Sequence, residues 1–153
     1  MSATFQTDAV QASFQMDGRP ITNVELVLKA RISVEIKIDR LTLIIGDYET
    51  MLSLAAVWGQ ASEDASTLPL LESGLLSFGG SMGVGQIRVS ADLYGEHDGT
   101  AVYVPETDDA VAHLRIQFGG LTWLVEDFLA YTTVAQTLDR AVTVLAEGLA
   151  NQE

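Results

Sequence analysis

The sequence predicts an α+β protein in which a curved antiparallel sheet of about six strands packs against a long C-terminal helix. Apolar residues occupy every even position over residues 24–38, and a period of two is typical of a β-strand with one buried face. Alternating segments return between residues 87 and 118. Beyond them, apolar residues recur at spacings of four and three, which is the period of a helix.

The N-terminal part is predicted to form a long hairpin. Its first strand covers residues 10–16 and reaches back towards Phe5, turn residues follow at 17–20, and the second arm is the whole stretch 24–38. A flat strand of that length would span roughly 50 Å, so we expect it to curl. After Asp39 and Arg40 the apolar phase moves by one residue, which indicates a bulge or a tight turn before a strand at 41–45.

One short buried helix is predicted near residues 47–59. Asp47 is a suitable N-cap, Gly59 stands where a C-cap belongs, and apolar side chains surround the helix on nearly all sides. A glycine-rich stretch follows at residues 77–85. A phosphate-binding loop would lead into a helix, whereas these glycines lead into a strand, so we reject a nucleotide site.

A second hairpin and one further strand complete the predicted sheet. Strands are expected at residues 87–93, 100–104 and 112–118, with an Asp-Gly hairpin signal at 98–99. Gly119 and Gly120 are then predicted to release the chain into its longest helix, which is capped by Thr122 and ends near Leu149. We find no internal sequence repeat and no linker, so residues 1–153 are predicted to form a single domain.

The last helix carries an apolar seam with heptad spacing, made of Leu124, Phe128, Tyr131, Ala135, Leu138, Val142, Leu145 and Leu149. The seam has two interpretations. It lies in the concave face of the sheet, or it pairs with the same helix of a second copy. We favour the first, because helices of globular proteins ordinarily bury one such stripe. Trp58 and Trp123 are assigned to core packing on the same grounds.

Composition excludes several classes of protein. The chain has no cysteine, which rules out disulfides and thiolate metal sites, and it has no apolar run of the roughly 20 residues that span a bilayer. The net charge is −13, and all of it arises after residue 40. Such a field repels nucleic acid and anionic membranes and favours a basic partner. Without a signal-peptide pattern, we expect a cytoplasmic protein.

The sequence offers little support for catalysis. It contains no Ser-x-x-Lys or His-Glu-x-x-His, and His113 shares the outward phase of its strand. Residues 79–83 match Gly-x-Ser-x-Gly, but they lead into a strand, whereas a nucleophile elbow leads into a helix. Asp92, Glu96, His97 and Asp98 offer four donors within seven residues, but they lack the spacing of a calcium loop, and residues 96–98 occupy a hairpin tip, where polar residues are expected. We therefore predict no enzyme, no cofactor and no metal site.

The favoured function is a non-catalytic protein-binding module whose acidic turns meet a basic protein partner. Small acidic α+β proteins of this kind resemble, in type only, the immunity proteins and inhibitors of bacterial toxin systems. The predicted partner-binding residues are Asp92, Glu96, Asp98, Glu106, Asp108 and Asp109.

Two alternatives stay open. The first is a self-assembling structural subunit, a homo-oligomer formed through the C-terminal helix or the long strands. The second is a carrier of a small hydrophobic ligand. The long final helix behind a Gly-Gly break resembles helix-grip lipid-binding domains, although those domains place helices directly after their first strand.

Overall fold

The computed structural model of the chain describes residues 2–6, 12–16, 18–29, 31–70, 88–93, 99–109 and 111–151. The α+β class predicted from the sequence is confirmed. In chain order the described elements are β1 (Ser2–Gln6), β2 (Ala12–Met16), β3 (Thr22–Leu28), β4 (Ile32–Ile38), β5 (Leu41–Ile45), α1 (Tyr48–Gln60), α2 (Ser62–Ala65), β6 (Arg88–Leu93), β7 (Gly99–Val104), β8 (His113–Phe118), β9 (Leu121–Val125) and α3 (Phe128–Ala150). The predicted glycine-rich stretch at 77–85 lies outside the described residues.

The described strands form two sheets, where one was predicted. The strand order is β1-β6-β5-β4-β3 in the first sheet and β2-β9-β8-β7 in the second. Three neighbouring pairs are parallel, namely β1–β6, β5–β6 and β2–β9, and the other four are antiparallel. The prediction of a single antiparallel sheet of about six strands is therefore wrong in its number of sheets and strands. Both predicted hairpins are wrong as well, since β2 pairs with β9 and not with β3, and β6 pairs with β1 and β5 and not with β7. Alternation shows which face of a strand is buried and not which strands pair.

The stretch 24–38 is not one strand but a hairpin of β3 and β4. Leu28 stands opposite Ile32, and residues 29–31 make the connection between them. A loop with an odd number of residues leaves the apolar positions even-numbered on both arms, so the alternation continues unbroken through the turn. The same pattern thus fits one long strand and this hairpin equally well.

Two-residue turns account for the phase change after Asp39. Ile38 pairs with Leu41 across Asp39 and Arg40, and Phe118 pairs with Leu121 in the same way. Asp39 has a φ of 52° and Gly119 a φ of 60°, as tight hairpin turns require. The tight turn predicted at Asp39 is confirmed. The helix predicted from Thr122 is wrong at its start, since the turn at Gly119 leads into β9.

Burial makes the charge on Asp39 unfavourable for folding. Its Oδ1 accepts a hydrogen bond from the Ile21 backbone N–H at 2.8 Å. Burial raises the pKa of Asp39, and the bond from Ile21 and the charge of Arg40 oppose that rise. A folded-state pKa above the unfolded value means that ionisation weakens folding at neutral pH, and that this penalty vanishes below the unfolded pKa.

We therefore expect Asp39→Asn to raise the free energy of unfolding at pH 7, by less than about 1 kcal/mol because solvent still reaches the site. Asparagine keeps an acceptor oxygen for Ile21 and tolerates positive φ. Urea unfolding at pH 7 and pH 3 tests this: the gain should be present at pH 7 and absent at pH 3. A variant less stable than the wild type at pH 7 would contradict the assignment.

The chain contains a structural repeat. Unit 1, residues 12–60, runs β2-β3-β4-β5-α1, and unit 2, residues 88–150, runs β6-β7-β8-β9-α3. The Ile38–Leu41 pair of unit 1 has its counterpart in the Phe118–Leu121 pair, with both partners 80 residues later. Each unit also places an aspartate, Asp47 or Asp127, at the N-cap of its helix, again 80 residues apart.

The two units exchange their first strands. β2 of unit 1 pairs with β9 of unit 2, while β6 of unit 2 pairs with β5 of unit 1 in the same parallel register. The helices are exchanged too, since α1 packs on β7 and β8 while α3 packs on β3 and β4, and the two helices contact each other. These reciprocal contacts give the described fold an approximate two-fold symmetry.

Sequence comparison alone does not reveal this repeat. Of the 30 residue pairs that match 32–61 with 112–141, only six are identical. Most of the others exchange one apolar residue for another, or one polar residue for another. The repeat is therefore one of structure and not of residue identity, because a fold constrains burial at a position much more than it constrains which residue stands there.

A cluster of aromatic side chains joins the two units in the core. Trp58 and Trp123 are both buried and meet edge to face with ring centroids 5.6 Å apart, as their assignment to the core predicted. Tyr131 stacks on Trp58 at 5.8 Å and its hydroxyl donates a hydrogen bond to the Trp58 carbonyl oxygen. The core therefore includes side chains from α1, β9 and α3.

The predicted seam of α3 packs within the chain, which confirms the favoured interpretation. Its members Tyr131, Leu138 and Leu145 are buried. The buried face of α3 is nevertheless rotated relative to the predicted seam, because it also includes smaller residues outside that seam, namely Ala130, Val134, Thr137, Ala141 and Gly148. Leu124 belongs to β9 and is not part of the helix.

Candidate functional site

Three of the six predicted partner-binding residues lie together after β7. Glu106, Asp108 and Asp109 occupy the connection to β8, and all three are exposed. The backbone N–H of Asp109 donates to the Thr107 hydroxyl oxygen at 3.3 Å, which gives this connection some local order. We call Glu106, Asp108 and Asp109 the acidic loop.

The described structure says less about the positions of the other three predicted residues. Asp92 lies in β6, where the strand is described but its side chain is not. Glu96 and Asp98 lie outside the described residues. The structure therefore brings only the acidic loop into a described setting.

Strand β7 forms an open edge of the second sheet. Within the described part of the chain it pairs with β8 on one side and with no strand on the other. Val102 is 53% exposed and Tyr103 is 37% exposed. An edge strand with exposed apolar side chains is a template to which another strand can add through backbone hydrogen bonds. We call β7 together with the acidic loop the acidic edge.

Strand β3 is the repeat counterpart of β7 and, among the described strands, forms an open edge of the first sheet. Leu28, its last residue, is 69% exposed. Lys29 and Arg31 follow it, and both are exposed. We call β3 with Lys29 and Arg31 the basic edge. The two edges are equivalent in the repeat, and their charges differ. Lys29 and Arg31 outnumber the exposed Glu25 at the basic edge, whereas the described charged residues of the acidic edge are all carboxylates.

The Arg31 side chain is held beside β5. A Cβ atom on Gly46 would lie 2.7 Å from the Arg31 Nε atom, so the guanidinium passes closely over the glycine backbone. Any larger residue at position 46 would displace it. Lys37, the third cation on this hairpin, is engaged with Glu35 at 3.4 Å.

Two other kinds of site are absent from the described part of the chain. Its His, Asp and Glu side chains form no group of three that could hold a metal ion. None of the described helices has the length and apolar character to cross a membrane. His113, predicted to face solvent, is half-buried, and its Nδ1 atom lies 2.9 Å from the Val111 carbonyl oxygen.

Sequence reasoning found the acidic loop but missed both edges. The loop was visible because charged residues follow Pro105. An edge is defined by which strand lies beside which, and no residue pattern in β3 or β7 states that order. The signal that the sequence does contain is a run of apolar residues, 101–104, just before the acidic residues.

Comparisons with known proteins supply no relative for this chain. No family model matches it, and no curated protein or solved structure does so either.

Proposed function

We propose that this chain is a non-catalytic, cytoplasmic protein-binding module whose activity is the binding itself, as in an inhibitor or an immunity protein. The acidic edge is the docking site, and its occupant is an extended basic segment of a protein partner. The observation that carries the proposal is that the exposed apolar side chains of β7 are followed closely by the exposed carboxylates of the acidic loop.

Each part of the edge has a distinct role in binding. The outward N–H and C=O groups of β7 supply hydrogen bonds to an added strand, independent of its sequence. Val102 and Tyr103 supply apolar contact on alternate faces of that strand. The acidic loop attracts basic segments and speeds their encounter, within a chain whose net charge is already −13.

A synthetic extended peptide that alternates valine and lysine tests the proposal. We expect saturable binding by fluorescence anisotropy that weakens as salt rises, because screening reduces the attraction of exposed charges. Neutralising the acidic loop with Glu106→Gln, Asp108→Asn and Asp109→Asn should weaken binding by about 10-fold, chiefly in the association rate.

A matched control removes the same charge elsewhere. Glu63→Gln, Asp64→Asn and Asp139→Asn replace three exposed acids that lie on α2 and α3. We expect this variant to bind within about 2-fold of the wild type. Equal weakening by both triple variants would mean that net charge alone governs binding, and it would overturn the acidic edge as the site.

The basic edge favours a second candidate, a self-assembling subunit. If the acidic edge of one copy docks on the basic edge of the next, the contact is head-to-tail and can continue into a fibre. Light scattering of the protein alone should then show growth with concentration, and Lys29→Glu with Arg31→Glu should abolish that growth. A monomer at about 1 mM would exclude this candidate and leave the docking of a different protein untouched.

A further inference from the structure

A second surface site lies between the chain segment that enters β3 and the flank of α3. It is a groove of about 390 Å³, and it is separate from the acidic edge. Arg19, Ile21 and Thr22 line one side. The other side is formed by residues 133, 136, 137 and 140 of α3, whose spacing of three and four places them on one helix face.

The groove concentrates positive charge in a strongly acidic chain. Arg19 and Arg140 both line it, and none of its described lining residues is acidic. Neither arginine forms an ion pair with another described residue. Two guanidinium groups that have no carboxylate partner among the described residues, in a chain of net charge −13, point to an anionic ligand.

The segment that carries Arg19 is anchored on both sides. The backbone N–H of Gly18 donates to Asp127 Oδ2 at 2.7 Å. Ile21 exchanges hydrogen bonds with Asp39, through the Ile21 N–H to Asp39 Oδ1 and the Asp39 N–H to the Ile21 carbonyl oxygen, each at 2.8 Å. Pro20 between them is buried. The groove wall is therefore preorganised, which lowers the cost of binding.

The α3 wall adds neutral polar groups. Thr133 and Thr137 donate their hydroxyl hydrogens to the carbonyl oxygens of Leu129 and Thr133, each at 2.7 Å, so both hydroxyl oxygens remain as acceptors. Gln136 contributes an amide that both donates and accepts. The groove can thus bind anionic oxygens through its arginines and accept hydrogen bonds from hydroxyl groups through its threonines.

The residues that line the groove differ from the described residues at the equivalent place in the other unit. At the matching place in the other unit, Val57 corresponds to Thr137 and Gly99 to Thr22, and Val57 packs so closely on Gly99 that a Cβ there would lie 2.1 Å from Val57 Cγ2. Gln60 stands in place of Arg140. Among the described residues, the second place thus has valine and glutamine where the groove has Thr137 and Arg140.

We propose that this groove binds a small phosphomonoester of a polyol. A phosphomonoester carries close to two negative charges at pH 7 and three terminal oxygens, which match two guanidinium forks better than a single carboxylate does. The polyol hydroxyls donate to the threonine oxygens. A volume of about 390 Å³ suits a ligand of metabolite size.

Glycerol 3-phosphate is the probe that tests this proposal. We expect it to shift the backbone amide signals of Ile21, Gln136 and Thr137 saturably in ¹H–¹⁵N NMR titrations of the full chain. Inorganic phosphate should shift the same signals with weaker affinity, whereas glycerol and acetate should not. Acetate that binds as tightly as glycerol 3-phosphate would overturn the phosphate class.

Charge-matched variants locate the site. Arg140→Gln installs the residue found at the equivalent place in the repeat, and we expect it to weaken glycerol 3-phosphate binding by about 10-fold. Arg19→Gln should act similarly. Arg115→Gln removes the same charge at an exposed position of β8 and should change affinity by less than about 2-fold. Equal weakening by Arg115→Gln and Arg140→Gln would overturn the groove as the site, and unchanged thermal unfolding confirms that each variant is folded.

Discussion

Replacing Asp127 by alanine is expected to lower the free energy of unfolding by about 3 kcal/mol. The variant loses the N-cap of α3 and also leaves the Gly18 N–H without its acceptor. Asp127 is fully buried. Its Oδ1 accepts from the Ala130 N–H at 2.8 Å, which caps α3, and its Oδ2 accepts from the Gly18 N–H at 2.7 Å. The variant therefore removes a cap worth about 1 to 2 kcal/mol and leaves a buried donor unsatisfied.

Asp47→Ala is the matched control, because Asp47 holds the same place in unit 1. Asp47 is only half-buried, and it accepts from the Glu49 N–H at 3.1 Å and from the Thr50 hydroxyl at 2.9 Å, both within its own helix. We expect a loss of about 1 kcal/mol. Urea unfolding of both variants measures the difference. Equal losses would show that the bond from Gly18 to Asp127 adds nothing to stability.

Neither half of the chain is expected to fold as a monomer when the chain is divided after residue 70. The fragment 1–70 lacks β6, which pairs with β5, and the fragment 71–153 lacks β2, which pairs with β9. Each fragment also lacks the helix that covers its own sheet, since α1 packs on β7 and β8 and α3 packs on β3 and β4. The free-energy cost of exposing these apolar faces to water would exceed the stabilisation that the remaining contacts supply.

Mixing the two fragments should restore the fold. We expect each fragment alone to lack dispersed NMR signals, and a 1:1 mixture to regain the far-UV circular dichroism and the NMR spectrum of the intact chain. A fragment that folds alone as a dimer agrees with strand exchange between copies. A fragment that folds as a monomer would contradict the exchange and, with it, the prediction that residues 1–153 form a single domain.

The candidate sites could be predicted only in part. The acidic loop could be predicted, because the three carboxylates that follow Pro105 fit neither an alternating nor a helical apolar pattern and so are expected in an exposed loop. The groove was not, because Arg19 and Arg140 are 121 positions apart in sequence and meet only through the packing of α3 on β3. The basic edge was hidden inside a stretch interpreted as a single strand.

The sequence by itself determined the α+β class, the tight turn at Asp39, the helix that Asp47 caps and the burial of Trp58 and Trp123. Each of these depends on neighbouring residues or on the local period of apolar side chains. The tertiary structure alone decided which strands pair, where residues 24–38 fold back, and that the two units exchange strands and helices. Pairing depends on contacts between distant segments, and an odd-length loop leaves the alternation on both sides of it unchanged, so no local pattern could have specified those outcomes.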